Sequence, residues 1–245
     1  MSTADATLIT IATYNEIENL PPLVEEIFRF APHAHLLVVD DASPDGTGRW
    51  VDERAAADPR VHALHRSGKL GLGTAIIAGL RYGIEHGYRY VLNMDADFSH
   101  QPKYLPALIA AMEPASGPPV DLAVGSRYIA GGGVENWPWK RYLMSWGVNV
   151  YARTLLRLPP RDTSGGFRCY RTSLIARLNF DEFVSRGYSF QEEMMWRMKR
   201  AGATFAEVPI VFVDRVRGVS KINLREAYRA LGILARLGLK QWTGI

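Results

Sequence analysis

Cysteine is almost missing from this 245-residue chain: Cys169 stands alone, which excludes an intramolecular disulfide and fits a reducing compartment. A single thiol of this kind reads as a small buried apolar side chain without chemistry. No uninterrupted apolar run approaches the roughly 20 residues that span a bilayer, so any membrane contact is expected to be peripheral. Residues 1–6 have neither a basic nor an apolar leader pattern, and they are expected to form a flexible N-terminus rather than a secretory signal. Low-complexity segments and internal repeats are absent. So is a Gly-rich phosphate loop after the first strand-like run, which argues against a nucleotidyltransferase, and no RNA-binding motif is visible, so nucleic acid is not expected as a partner.

What is present is unevenly charged. Residues 1–120 hold 9 basic and 15 acidic side chains, a balance of −6, whereas residues 121–245 hold 20 and 10, a balance of +10. A basic half of this size suits nucleic acid, an anionic membrane surface or phosphorylated substrates.

Short apolar runs at 7–12, 35–40, 60–65, 90–94 and 121–125 read as buried strands, and residues 16–31, 47–57, 71–85 and 102–112 between them read as helices. That order predicts an α/β domain with a mostly parallel, doubly wound sheet. After a Gly131-Gly132-Gly133 loop come a Trp-, Tyr- and Arg-rich helix at 137–158, ended by Pro159-Pro160, and a short strand at 167–170. A helix at 190–200, a strand at 204–213 and a final helix from about 223 to 240 follow. Ligands of such sheets sit beyond the carboxyl ends of the strands.

Several residues there suit chemistry. Asp95 and Asp97 follow an apolar strand, where two carboxylates offer oxygen to a hard divalent cation able to clamp a diphosphate. Asp40-Asp41 ends the second strand and suits nucleoside hydroxyls and N–H groups. Asp45 and Thr47 read as a helix cap. Tyr14 and Glu16 could stack on and bind a base. Lys69, ahead of Gly71-Leu72-Gly73, would lie near phosphate.

Together these segments resemble a known family. Thr13-Tyr14-Asn15-Glu16-x-Glu18-Asn19-Leu20, Val39-Asp40-Asp41-x-Ser43-x-Asp45-Gly46-Thr47, Gly71-Leu72-Gly73 and Met94-Asp95-Ala96-Asp97-x-Ser99-His100 are similar to inverting family-two glycosyltransferases. Gly125-Ser126-Arg127-Tyr128, Asp162 through Phe167-Arg168, and Val211 through Lys221 narrow the resemblance to the dolichyl-phosphate (polyprenyl-phosphate) mannosyltransferases. It implies a single GT-A-type domain at 7–221, followed by an amphipathic helix and tail at 222–245.

The resemblance implies roles residue by residue. Tyr14, Glu16 and Asp41 would hold the nucleoside of GDP-mannose, with Lys69 nearby. Asp95 and Asp97 would bind Mg²⁺ or Mn²⁺, with Ser99 where many relatives carry Gln. Arg215 and Lys221 would grip the donor phosphates, while Arg127, Arg141 and Ser145 would receive a polyprenyl phosphate. Gln191 and Glu193 would face the sugar, and Asp97, Arg127, Arg141 and Arg215 would carry catalysis. Ala12 stands where a proline is usual, which alters backbone stiffness rather than ligands. An anionic acceptor needs no general base; a saccharide acceptor would, and Glu192 or Glu193 is the carboxylate at hand. Glucosyl transfer to the same lipid is the nearest alternative. Trp137, Trp139, Tyr142, Leu143, Met144 and Trp146 around Lys140 and Arg141, and the final helix with Arg225, Arg229, Arg236 and Lys240, read as amphipathic surfaces for the cytoplasmic face of a membrane or for a small membrane-anchoring subunit.

Overall fold

A computed structural model describes residues 6–185, 187, 189–214 and 224–243. The apolar run TLITIAT becomes β1 (Thr7–Thr13), covered on both faces. Leu8 faces one core layer while Ile9 and Ile11 face the other, as the two-residue side-chain period of a strand requires. β1 pairs in parallel with β2 (His35–Asp40) and with β4 (Tyr90–Met94), and β2 pairs in parallel with β3 (Val61–His65). The helices α1 (Leu20–Phe30), α2 (Thr47–Ala57) and α3 (Leu72–Glu85) make the crossovers, and α4 (Leu105–Ala110) leads from β4 to β5 (Leu122–Ser126). All of β1 to β5 therefore end at one edge of the sheet.

The sheet has seven strands in the order β3-β2-β1-β4-β7-β5-β8. β7 (Arg168–Arg171) is antiparallel to both β4 and β5, an insertion whose direction a four-residue strand could not announce. The predicted strand at 204–213 is two strands. β8 (Phe205–Pro209) is the parallel partner of β5, and β9 (Val211–Val213) pairs with β6 (Gly133–Glu135) in a separate ribbon. Pro209 ends β8 on the sheet's edge, where a residue lacking a backbone N–H is tolerated. β6 lies in what the sequence presents as a glycine loop. A Cβ at Gly132 would stand 2.4 Å from the carbonyl oxygen of Ser126, so only glycine lets this loop press on the end of β5.

α1 starts at Leu20 rather than at Glu16, because Pro21 and Pro22 fit only a first turn. Residues before it are free to form a loop at the ligand edge. The remaining helices are α5 (Trp139–Leu156), the short α6 (Thr172–Ile175), α7 (Phe190–Arg200) and α8 (Leu224–Thr243). α1, α2 and α4 cover one face of the sheet; α3, α5, α7 and α8 build the other core layer. α8 is tied down by Trp242, whose indole N–H donates to the Leu155 carbonyl, and by Gln241, which accepts from Trp196. Cys169 is fully buried on β7, and burial pushes its thiol up, away from reactivity.

Candidate active site

Three backbone N–H groups of the loop after β1 are held by the loop after β2. Asn15 donates to Ser43 Oγ at 3.0 Å, Glu16 to Thr47 Oγ1 at 3.1 Å and Ile17 to Asp45 Oδ2 at 3.1 Å. Asp45 also accepts from the Thr47 N–H. The pair expected only to cap a helix thus straps two ligand-edge loops together. Asn15 takes a left-handed φ of 64° there, a conformation asparagine tolerates better than most residues. Tyr14 is left exposed, with Lys69 Nζ 4.5 Å from its ring centroid. Tyr14 and Lys69, expected near one another at the nucleoside, are thus neighbours in space. Glu16 accepts from the Asn19 side-chain amide at 2.8 Å.

Asp41 does not stand alone: its carboxylate accepts two guanidinium hydrogen bonds from Arg66, the one from Nη2 at 2.7 Å, and Arg66 also reaches Thr74. Any nucleoside would meet a charge-paired fork. Arg66 was not picked out in the sequence, although its position directly after β3 is a ligand-edge position like that of Asp41. Asp40 serves the turn: it accepts from Thr13 and from the Ser43 backbone.

After β4 the chain turns through Phe98, whose φ of 62° is a left-handed value that non-glycine residues rarely hold. Asp97 Oδ1 accepts from the Ser99 N–H at 3.0 Å. His100 Nδ1 accepts from the Asp95 N–H at 3.0 Å, and its ring stacks on Phe167 at 4.9 Å. Ser99 Oγ is buried without a hydrogen-bond partner among the described residues. Two carboxylates and an orphaned hydroxyl on one strained turn form an all-oxygen donor set of the kind Mg²⁺ and Mn²⁺ accept. Among the described residues no three Asp, Glu, His or Cys side chains are grouped to enclose a metal. A cation here would draw much of its coordination from phosphate oxygens and water, as Mg²⁺ commonly does. Gly166 marks where the walls converge: a Cβ on it would lie 3.4 Å from Gln191 Nε2, 3.5 Å from His100 and 3.6 Å from an Asp95 oxygen. Gln191 therefore faces the Asp95 turn.

Glu193, paired with Gln191 in the sequence reading, does not. It is fully buried and accepts from the N–H groups of Val184 and Ser185 and from Arg197 Nε. Its carboxylate fixes the 184–185 segment and, contrary to the expectation from sequence, is not free to face a sugar.

The predicted acceptor residues do come together. Arg127 follows β5, and Arg141 and Ser145 stand one turn apart on α5. The guanidinium carbons of Arg127 and Arg141 lie 5.6 and 4.2 Å from the Trp137 ring centroid, and Tyr128 donates its hydroxyl to Ser145 Oγ at 2.8 Å. Arg127 is buried and anchored by Asp162: Nε to Oδ2 and Nη2 to Oδ1, both 2.7 Å. Burial works against both charges, yet each stabilises the other. Asp162 is held below the usual carboxylate range and Arg127 above the usual guanidinium value. That leaves Nη1 of Arg127 without a hydrogen bond among the described residues. Arg141 is paired with Asp214. Backbone pairing of Val213 N with Ser99 O at 3.4 Å joins this arginine cluster to the Asp97 turn. Arg215 and Lys221 lie outside the described residues.

Sequence reading also missed the frame behind the arginines. Asn149 Oδ1 accepts from the backbone N–H groups of Thr163 and Ser164, and the buried Arg168 donates to the carbonyls of Gly165, Gln191 and Thr163. Glu192 is buried beside this network, one of its oxygens has no partner among the described residues, and burial pushes its pKa up to about 7. A carboxyl whose folded pKa is raised stabilises fully below its unfolded value of 4.5 and loses that contribution as pH rises through about 7. Glu192→Gln removes the ionisation, so it should gain on the order of 3 kcal/mol over the wild type between pH 4.5 and pH 8. Denaturant unfolding at both pH values measures this, and parallel curves for the two proteins would refute it.

The glycosyl transferase family 2 model matches residues 8–178. An undecaprenyl-phosphate mannosyltransferase of Micrococcus luteus is 46% identical over 239 residues, covering 97% of this chain and 96% of the relative. A polyprenol monophosphomannose synthase of Mycolicibacterium smegmatis is 46% identical over 225 residues, covering 90% and 83%. Among solved structures, glucosyl-3-phosphoglycerate synthase of Mycobacterium tuberculosis, in complex with Mn²⁺, UDP and glucosyl-3-phosphoglycerate, superposes with a TM-score of 0.63 at 17% identity. That superposition covers 99% of this chain and 81% of the other, a likeness of fold.

Proposed function

The chain belongs to glycosyl transferase family 2, with a single GT-A-type α/β domain, and from that premise we propose that it moves mannose from GDP-mannose to a polyprenyl monophosphate. The observation that carries this reading is the arginine pair Arg127 and Arg141, gathered on Trp137 and linked by backbone to the Asp95–Asp97 turn. A sugar-nucleotide site needs one set of phosphate ligands; a second set beside it is what transfer to an acceptor phosphate would require, and Arg127 with Arg141 supplies the candidates for it. Two close relatives are named for transfer to polyprenyl lipids.

An acceptor phosphate is already anionic near neutral pH, so no proton has to be removed before it attacks. Arg141 and the free edge of Arg127 would hold its oxygens, since the guanidinium fork matches phosphate in pairs. Asp162 fixes the Arg127 plane so that the fork is in place before the lipid arrives. Gln191 would meet the sugar, and Tyr14 with the Asp41–Arg66 pair the nucleoside. Asp95, Asp97 and Ser99 would hold a divalent cation, Mg²⁺ or Mn²⁺, which supplies charge neutralisation for the departing diphosphate. One displacement inverts the anomeric carbon. A saccharide acceptor is disfavoured because Glu193 is committed to Val184, Ser185 and Arg197, and Glu192 is buried.

No helix among the described residues is long and apolar enough to cross a membrane. α5 nonetheless exposes Trp139 to 68%, Met144 to 62% and Trp146 to 50%, and buries only Asn149, Ala152 and Leu156. A row of exposed aromatics beside Arg141 suits the interface of a bilayer from which the lipid phosphate is drawn. The enzyme would then work peripherally at the cytoplasmic face, directly or through a small anchoring subunit. Replacing Trp139, Met144 and Trp146 by Ser should cut transfer to vesicle-embedded acceptor at least roughly tenfold while sparing a short, soluble acceptor; equal effects on both would remove α5 from the interface.

The activity itself is tested with labelled GDP-mannose, UDP-glucose or UDP-mannose and polyprenyl phosphate, with and without Mg²⁺. Label should enter the organic phase from GDP-mannose and require the cation. Organic label from a uridine donor alone would overturn the donor, and none from any donor would overturn the acceptor.

A further inference from the structure

Beyond the reaction site, a groove of about 590 Å³ opens between the C-terminal end of α7, the 177–184 segment and α8. Its floor is apolar, with Trp196 and Leu237 buried. Its walls are cationic: Arg177, Arg197, Arg200, Arg236 and Lys240 line it against a single acidic residue, Glu182. Two of these cations have structural employment. Arg197 is paired with Glu182 at 3.1 Å and with Glu193 at 2.9 Å, and Arg177 donates to the Ala201 carbonyl that ends α7.

The other three do not. Arg200, Arg236 and Lys240 are exposed and have no acidic partner within ion-pair distance among the described residues. Arg236 and Lys240 stand four residues apart on α8, a spacing at which like charges repel and weaken a helix. Arg200 joins them from α7, its guanidinium 5.0 Å from the Trp196 ring. No carboxylate among the described residues offsets the three cations gathered around this hollow. A bound anion would remove the repulsion and give each guanidinium and the ammonium a charge-assisted hydrogen bond.

We propose that this groove is a second anion site, which takes a phosphate group carried either by a lipid headgroup or by a soluble phosphate. It lies apart from the reaction site: Gln191 and Arg200 are nine residues apart on α7, about 13 Å along the helix. The site does not depend on which sugar or lipid the enzyme uses. A phosphate fits better than a carboxylate because three donors approach from two helices, and a phosphate offers each of them its own oxygen where a carboxylate has two. The apolar floor leaves room for the carbon skeleton of the same molecule.

The test uses the full chain and the variants Arg236→Gln/Lys240→Gln and, separately, Arg200→Gln, all exposed side chains whose loss should not lower the unfolding midpoint without ligand. Flotation with phosphatidylcholine vesicles, with and without phosphatidylglycerol, probes the headgroup source. Thermal protection by inorganic phosphate probes the soluble one. The active-site phosphate ligands are identical in all three proteins, so any difference isolates the groove. Binding of at least one probe should weaken at least about tenfold in the double variant and less in the single one. Loss confined to phosphatidylglycerol vesicles names a headgroup, and loss confined to phosphate names a soluble anion. Wild-type and variant curves that coincide for both probes would overturn the site.

Discussion

Asp97→Ala should lower metal-dependent turnover by more than about 100-fold while the fold survives. Asp97 sits on a turn at the sheet's ligand edge and is partly exposed. Its hydrogen bond to the Ser99 N–H ties the turn locally, and losing it costs about 1 kcal/mol, far less than the stability of a domain. Its proposed work is electrostatic. If it helps hold the cation that neutralises a departing diphosphate, removing it leaves that charge uncompensated at the step where it develops. Steady-state rates over a range of Mg²⁺ and Mn²⁺, alongside thermal unfolding, separate the two effects. A variant with wild-type turnover at the same metal concentration would exclude Asp97 from the site, and Asp95 with Ser99 would then have to hold any cation alone.

Asp162→Asn should cost about 3–5 kcal/mol of stability, since one member of a buried ion pair is removed and the other stays charged. Asp162 is fully buried and accepts from the backbone N–H of Arg127, from its Nε and Nη2, and from the Gly165 N–H. An asparagine there keeps one acceptor oxygen but turns an NH₂ group toward guanidinium donors. Because the folded pKa of Asp162 is depressed, its stabilisation is complete above the ordinary value of 3.8 and is lost only as pH falls through the lower folded one. The wild-type advantage over Asp162→Asn should therefore be flat from pH 5 to 8. Denaturant unfolding measures it, and a loss below about 1 kcal/mol would show that the pair does not hold this end of β5. The double variant Arg127→Met/Asp162→Leu separates structure from chemistry. It should recover part of the stability, because no charge is left buried, yet it should not recover transfer, because the acceptor would have lost a phosphate ligand.

How far the chain could be read differs from element to element. β1, β2 and β4 are short apolar runs ended by polar residues, and their pattern alone placed Asp40 and Asp95 at strand ends. The 204–213 segment carries the same pattern but divides at Pro209, because β6 waits across the edge to receive β9. The pattern of residues 167–170 announces a strand and nothing of its direction. Among the site residues, Gln191 and Glu193 share one helix and one chemical character. They part because Glu193 meets the backbone of Val184 and Ser185 while Gln191 reaches Gly166.

Sequence by itself determined the α/β class, the carboxylate turn at Asp95–Asp97, the basic second half and the aromatic helix that became α5, because hydrophobic period, strand ends and charge are local properties of a chain. Only the tertiary structure decided that Asp41 meets Arg66, 25 residues on, that Arg127 meets Asp162, 35 residues on, and that Arg141 meets Asp214, 73 residues on. Such pairings depend on which strands lie side by side and on how much water is shut out around them. Burial then makes an unpaired charge too costly to keep, so the strand order, above all β7 between β4 and β5, sets which arginines are anchored by a carboxylate.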